Sequence, residues 1–419
     1  MGVRSGYKKT EVGVIPEEWE VKTLGEVVDK YVSGGTPPTK IQAYWSGDIP
    51  WITSADIENQ RVVEIRRRIT SEAMRDSSTN VVEKGNLLLV SRTGIGKLAI
   101  APCDIAISQD FTGIYTKKAT LLAEYLFWFL NLNRSVLLGQ RQGTSIQGIT
   151  RETLSALSIP IPRPTEQQAI TVALNNVDGL IDAFDELIGK KRNIKQAAMQ
   201  QLLTGRKRLP RFSGKWTRWR FDELFEILRT ASNPRSDLSD VGDIGYIHYG
   251  DIHSQSSPFL DSTTVSLPHI PREKVSGLPL LEDGDLVMVD ASEDYEGIGK
   301  SIELCNLADR QVVAGLHTIL FRGNKQLIAD GFKGYLQFIP SVKTSLIRLA
   351  TGISVYGISK DTVKSVEVTL PPLDEQRAIA TILSDMDDEI AALEQKREKL
   401  RLIKQGMMQE LLTGRVRLV

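Results

Sequence analysis

From Ile170 onward, apolar residues recur in alternating steps of four and three: Ile170, Leu174, Val177, Ile181, Phe184 and Ile188. The rhythm returns near the end of the chain at Ile379, Leu383, Met386, Ile390, Leu393, Leu400, Met407 and Leu411. Such spacing is the heptad seam of a long helix that packs along a partner helix. The ends of both helices are legible. Thr165-x-x-Gln168 has the capping-box pattern after Pro164, and Asp374 takes the N-cap place in the second copy. Gly205 and Gly414 stand where left-handed C-caps are expected. Each helix would run for roughly 40 residues, or about 60 Å. Two such helices in one chain pack most simply against each other. Leu180, Leu187 and Ile194 lie off the seam and predict a second contact surface.

The rest of the pattern is shorter in period. Apolar runs at Asn86–Val90, Leu286–Val289 and Val312–Phe321 are broken by Gly and Asp turns and predict strands. Leu121–Leu130 and Phe332–Phe338 predict flanking helices. Strands and helices together make an α+β chain.

The two helices belong to a larger repeat. Pro164-Thr-Glu-Gln-Gln-Ala-Ile170 and Leu202-Leu-Thr-Gly-Arg206 return as Leu373-Asp-Glu-Gln-Arg-Ala-Ile379 and Leu411-Leu-Thr-Gly-Arg415, 209 residues later. At the same offset, Gly143-Thr-Ser145-Ile-Gln-Gly148 returns as Gly352-Ile-Ser354-Val-Tyr-Gly357, each followed by a short amphipathic helix and a strand. Farther upstream the offset drifts. Asp48–Ile57 parallels Asp243–Ile252, Lys84–Leu87 parallels Asp283–Leu286, Ile95–Lys97 parallels Ile298–Lys300, and Trp19 with Glu26 parallels Trp216 with Glu223. A period this long marks a duplicated domain rather than a solenoid. The expected organisation is a globular domain over 1–163, a long helix over 164–209, a second globular domain over 210–371 and a second long helix over 372–419. Loops that diverge on a constant frame are where binding specificity resides.

Composition adds bounds. In 419 residues, 41% are hydrophobic and 25% charged, ordinary values for a water-soluble globular protein with two or three domains. No apolar run has the ~20 residues of a membrane span, and the first residues lack the apolar core of a signal peptide. Cys103 and Cys305 are far apart, which fits a reducing compartment, and a cytoplasmic location is expected. The formal net charge is zero, unlike most free-standing nucleic-acid binders. Charge is nonetheless segregated. Arg66-Arg67-Arg68, Lys190-Lys191-Arg192, Arg206-Lys207-Arg208 and Arg218/Arg220 are basic clusters, while Asp385, Asp387, Asp388, Glu389 and Glu394 form an acidic one.

Signs of catalysis are missing. Gly94-Ile-Gly96-Lys97 and Gly297-Ile-Gly299-Lys300-Ser301 resemble phosphate-loop fragments, but Ser91 and Asp294 stand where a Walker loop needs its first glycine. Tight turns between strands are expected instead. The four histidines, His248, His253, His269 and His317, show no metal-ligand spacing. No Ser/His/Asp grouping occurs in both halves. These absences favour a non-enzyme with no cofactor or metal of its own.

The motifs resemble those of the specificity (S) subunits of type I restriction-modification enzymes, over essentially the whole chain. They are Pro372-Leu-Asp-Glu-Gln376 with its looser copy Arg163-Pro-Thr-Glu-Gln167, the two Leu-Leu-Thr-Gly-Arg ends, Ser33-Gly-Gly-Thr-Pro37, Tyr44-Trp45, Gly47-Asp-Ile-Pro-Trp-Ile-Thr53 and Gly13-x-Ile-Pro-x-x-Trp19. The resemblance implies two target-recognition domains, each reading half of a bipartite, asymmetric site in double-stranded DNA. It implies that the long helices form an antiparallel coiled coil acting as a spacer. Two methyltransferase subunits would dock there and use S-adenosylmethionine. Restriction subunits using ATP and Mg would join in some systems, and a methylation-only system is the related alternative. In the second half, Asn233–Asp237 replaces the Ser-Gly-Gly-Thr-Pro motif and Gly245-Tyr246 replaces Pro50-Trp51.

Expected DNA-contacting residues in the first domain are Thr53, Ser54, Asp56, Arg92, Thr93, Lys97, Gln109 and Asp110. Arg92 suits guanine and Gln109 suits adenine. In the second domain they are His248, Tyr249, Asp251, Ser292, Lys300 and His317. Gly143/Ser145 and Gly352/Ser354 are candidate phosphate holders, Arg66-Arg67-Arg68 is a candidate backbone follower, and Trp19 and Trp216 are expected core anchors. The competing classes are a self-contained DNA methyltransferase or nuclease, and a coiled-coil scaffold that reads no DNA.

Overall fold

The computed structural model describes residues 4–139, 148–353 and 355–418. The chain divides into two compact units, one of residues 1–185 with 395–419, the other of residues 186–394. Ser145 and Ser354 lie outside the described residues, as does Gly143.

In the first unit, one antiparallel sheet runs Leu98–Ile100, Leu87–Val90, Phe111–Thr116, Val28–Ser33. A second runs Arg67–Ile69, Ile49–Ile52, Ile105–Ile107, Asn80–Val82, with Ile49–Ile52 and Ile105–Ile107 parallel. The second unit repeats this plan. Its first sheet holds Phe225–Leu228, Thr318–Gly323, Leu286–Val289 and Ser301–Cys305, and adds Phe259–Asp261 at the edge. Its second sheet holds His269–Ile270, Ile244–Ile247 and Val312–Ala314, again with one parallel pair. Strands such as Leu87–Val90 and Leu286–Val289 are buried on both faces, which is why they read as continuous apolar runs. The glycine-lysine segments are turns between antiparallel strands, with Gly94, Gly96 and Gly299 at positive φ.

The long helices span Pro164–Leu202 and Leu373–Leu411, 39 residues each. Their starts differ from the expected caps. Thr165 and Asp374 lie inside the helices, and the carbonyls of Arg163 and Pro372 accept the first amides, from Glu166 and Gln167 and from Glu375 and Gln376. Pro164 at the first helical position sets φ and needs no donor. Gly205 and Gly414 do end the helices at φ +68° and +71°. A Cβ at Gly414 would stand 2.4 Å from Pro16, and one at Gly205 would stand 3.3 Å from the Trp216 ring.

On the seam, Ile170, Leu174, Ile181, Ile188, Ile379, Leu383, Ile390 and Leu411 are buried. Val177, Phe184, Met386, Leu393, Leu400 and Met407 are half-buried. Ion pairs join the helices within each unit. In the first, Lys404 meets Asp178 at 2.7 Å and Arg397 meets Asp185 at 2.8 Å. In the second, Lys191 meets Glu389 at 2.6 Å, Arg192 meets Glu394, and Lys195 meets Asp387. Lys191 and Arg192 thus pair with Glu389 and Glu394 of the acidic cluster, while Lys190 pairs with Glu186.

One arrangement holds each helix start. Glu166 is fully buried, accepting from Trp19 Nε1 at 3.0 Å and from Nε and Nη2 of the Arg417 guanidinium. Glu375 is likewise buried, held by Arg208 at 2.6 Å through both oxygens and by Trp216 Nε1 at 3.3 Å. The neighbouring glutamines also match. Gln167 accepts from the Leu122 amide and donates to the carbonyls of Thr120 and Pro162. Gln376 accepts from the Ala329 amide and donates to those of Leu327 and Pro371. Trp19 is a core anchor, at 1% exposure, while Trp216 is half-buried against the second core. Arg208, half-buried, is therefore tied to the start of the second long helix.

One expected helix differs. Lys333–Phe338 is a 3₁₀ turn followed by the helix Pro340–Leu349. The amides of Gly331 and Gly334 donate to the buried Glu303 carboxylate, so this stretch winds around a side chain. Burial raises the Glu303 pKa, opposed by the adjacent Lys333.

Candidate nucleic-acid interface

In each unit, three loops converge at one edge of the paired sheets. In the first, Ile49–Ile52 leads into the turn Ser54–Asp56, Leu87–Val90 leads into loop 91–97, and residues 108–110 precede Phe111–Thr116. The Ser108 amide donates to the Ile52 carbonyl at 3.0 Å, and the Ser91 amide donates to that of Asp110 at 2.8 Å. Lys97 Nζ ties the first loop to the second, donating to the carbonyls of Ser54 and Ile57 at 2.8 and 2.9 Å. All eight first-domain candidates are brought together.

The second unit closes the same way. Ile244–Ile247 leads into the helix Tyr249–Ser254, and the Gly315 amide donates to the Ile247 carbonyl at 2.9 Å. The Asp290 amide reaches the His317 carbonyl at 3.2 Å, and Lys300 Nζ donates to the His253 carbonyl at 2.7 Å. Burial lowers the Lys300 pKa.

The frame consumes several expected readers. Asp56 is 4% exposed, and its carboxylate accepts from the amide and hydroxyl of Thr53 at 2.8 and 2.9 Å. It caps its turn. His248 is held in the same way. It is buried, its Nδ1 accepts from the Gly250 amide at 3.2 Å, and its own amide donates to Asp251 at 3.0 Å. Asp251 also meets Arg235 at 2.9 Å. Ser292 is buried, with its hydroxyl accepting from the Asp294 amide. In each case a turn amide finds its acceptor in a side chain of the same turn. The signal was in the sequence: Thr53-x-x-Asp56 and His248-x-x-Asp251 are capping patterns.

Arg92, Thr93 and Gln109 remain exposed on the first edge, and Ser54 and Asp110 are half-buried there. Thr36 donates its hydroxyl to Gln109 Oε1. On the second edge, His317 is exposed at φ +56°, with Nδ1 3.2 Å from Asp290, and stands edge-on to the half-buried Tyr249 ring at 5.3 Å. Of the basic run, Arg66 meets Glu64, Arg67 lies 5.3 Å over Trp51, and Arg68 donates to the Asp48 carbonyl. The substitutions in the second half keep the frame. Trp51 Nε1 donates to the Gly35 carbonyl at 3.1 Å, and Tyr246 Oη donates to that of Asn233 at 2.8 Å in its place. Among the described residues no group of three or more metal-ligating side chains occurs, and no helix is long and apolar enough to cross a membrane.

Fold and loops together define a duplicated scaffold that presents one divergent loop edge per copy. The family described as "Type I restriction modification DNA specificity domain" matches residues 16–194 and again 213–402, and the chain belongs to this family. A specificity subunit of the type I restriction enzyme MjaIX from Methanocaldococcus jannaschii is 36% identical over 42% of this chain and 41% of its own length. The MjaVIII specificity subunit of the same organism is 25% identical over 96% of this chain and 94% of its own. The EcoR124I/EcoR124II specificity subunit of Escherichia coli is 30% identical over 45% and 46%. Among solved structures, the S subunit of a type I restriction-modification system from M. genitalium shares the fold at TM-score 0.61 and 13% identity, covering 98% of each chain. A chain from a study of complex assembly in the type I R-M system matches at TM-score 0.56 and 17% identity, over 96% and 99%.

Proposed function

We propose that this chain is the sequence-reading subunit of a type I restriction-modification complex and is not itself an enzyme. Each unit reads one half of a bipartite, asymmetric duplex site through its loop edge. The two long helices pair as an antiparallel coiled coil, and their stiffness fixes the number of base pairs between half-sites, which a flexible linker would leave variable. Two methyltransferase subunits dock on the helices, where Leu180, Leu187 and Ile194 are 51%, 39% and 54% exposed. Those partners hold S-adenosylmethionine, and restriction subunits, where present, use ATP and Mg. The observation that carries this reading is the pair of loop edges with matching backbone ties and different exposed side chains. Zero net charge is compatible with it when partner subunits neutralise much of the phosphate charge.

Genome-wide mapping of methylated adenine tests the proposal. One bipartite motif is expected, and it should vanish on deletion of this gene; a motif that survives deletion overturns the reading. Arg92→Ala is expected to weaken discrimination by about 1–3 kcal/mol at one position of one half-site. Binding to single-base variants of the mapped site measures this.

A further inference from the structure

The first recognition edge is joined to the first long helix by a strut whose charge has no counterpart among the described residues of the second unit. Immediately after the Ser54–Asp56 turn, Ile57–Glu58 pairs with Arg61–Val62 in a two-residue hairpin. Asn59 and Gln60 form its turn at φ +47° and +62°, as the primed hairpin turn demands. Gln60 is an unusual residue for that conformation, and its Oε1 accepts from the Leu98 amide at 2.7 Å, which fastens the turn to the sheet. The hairpin base is fastened too. The Val63 amide donates to the Asp56 carbonyl at 3.1 Å, and Lys97 Nζ grips the carbonyls of Ser54 and Ile57. Arg61 then reaches the helix. One guanidinium nitrogen meets Asp178 and the other meets Asp182, one turn on. Asp178 also holds Lys404.

The second unit has the matching inter-helix pair, Asp387 with Lys195, each 209 residues from its counterpart. Its third member is a phenol: Tyr335 Oη lies 3.2 Å from Asp387. Tyr335 is fully buried, whereas the Arg61 side chain is 43% exposed.

We infer that Arg61 is a positioning residue for base discrimination in the first half-site. It fixes the Ser54–Asp56 and 91–97 loops against the spacer helix through a charged fork, without itself contacting a base. A planar guanidinium spans two carboxylates one turn apart, which a lysine cannot reproduce in full. The contact is also open to screening by salt, as the buried Tyr335 contact is not.

This inference rests on the DNA-reading function proposed above, and its test separates the two. The chain is assembled with its methyltransferase subunits and bound to duplexes carrying the mapped site and single-base variants in either half. The mismatch penalty is a ratio, so phosphate contacts common to both duplexes cancel. Arg61→Met and Asp182→Asn are each expected to lower the first-half penalty by about ten-fold while leaving the second-half penalty unchanged. Arg61→Lys should restore it in part, and added salt should erode the first penalty faster than the second in the unaltered protein. Asp182→Asn leaves the Lys404–Asp178 pair in place, so it reports on the strut and not on helix pairing. Wild-type-like first-half penalties in both variants would overturn the strut, as would an equal loss in both halves. A wild-type complex that binds the mapped site no better than a scrambled duplex would overturn the DNA-reading function instead.

Discussion

The two units keep the same helix pins and differ at their loop edges. Glu166 and Glu375 sit in equivalent buried settings, each taken by one tryptophan and one arginine. At the edges, by contrast, Thr53 caps a 3₁₀ turn where His248 caps a helix, and the first edge exposes Arg92 and Gln109 where the second has Tyr249 and His317. A buried carboxylate tolerates almost no change in its partners, because losing either leaves it uncompensated. An exposed loop residue carries no such constraint. Duplication followed by drift therefore preserves the pins and rewrites the edges.

The largest expected effect tests the shared part. Glu166→Ala and Glu375→Ala should each cost about 3 kcal/mol, somewhat less than a fully buried pair because the arginines are partly exposed. Native-state hydrogen exchange at Leu87–Val90 and at Leu286–Val289 reads each unit separately. A substitution that weakens only one unit, by an amount matching its twin, would sharpen the comparison. A cost below about 1 kcal/mol in either would break it.

A smaller effect separates the two helix ends. Both glycines have positive φ, so alanine costs about 1–2 kcal/mol at either position through backbone strain alone. Only at Gly414 does the added Cβ meet Pro16 at 2.4 Å, against 3.3 Å for the nearest atom at Gly205. Gly414→Ala should therefore lower the thermal midpoint further than Gly205→Ala. Equal shifts would mean that the first unit yields at Pro16.

The smallest effect is one of pH. Burial lowers the His248 pKa below its ordinary 6.5, with Arg235 and His317 acting in the same direction and Asp251 opposing them. A depressed imidazole binds its proton more weakly when folded than when unfolded. Stability is thus full above pH 6.5 and falls as pH drops from there through the folded value. The first unit has Thr53 at this place and no histidine. His248→Thr should flatten the pH dependence of the second unit below 6.5 in urea unfolding; an unchanged slope would assign it to another group.

Much of the frame was legible in the sequence. Seam, repeat, terminal glycines and paired strands follow from local periodicity and from residue types with strong conformational preferences. The pins were not. Glu166 and Gln167 stood inside a recognised motif, but the meaning of a buried carboxylate depends on a partner 251 residues away. Arg208 read as one of three surface cations. At the loop edges the failure was of another kind. Thr53, Asp56, His248 and Asp251 suit both a hydrogen bond to a base and a hydrogen bond to a turn amide, and only burial decides between them. Lys333–Phe338 has helical spacing, yet Glu303 of Ser301–Cys305 takes the amide of Gly334 and that of Gly331 just before it.

The first unit includes residues 395–419 as well as 1–185, while the second is continuous from 186 to 394. During synthesis the order of completion is therefore the reverse of the order of translation. At about 5–20 residues per second, the first 185 residues precede their last structural partners by roughly 10–40 seconds. Throughout that interval Glu166 lacks Arg417 and the Tyr7 hydroxyl lacks the Gly414 carbonyl. The half made first is the half exposed longest to chaperones and proteases. A chain ending before residue 395 would hold all of the second unit but lack residues 395–419 of the first, Arg417 among them.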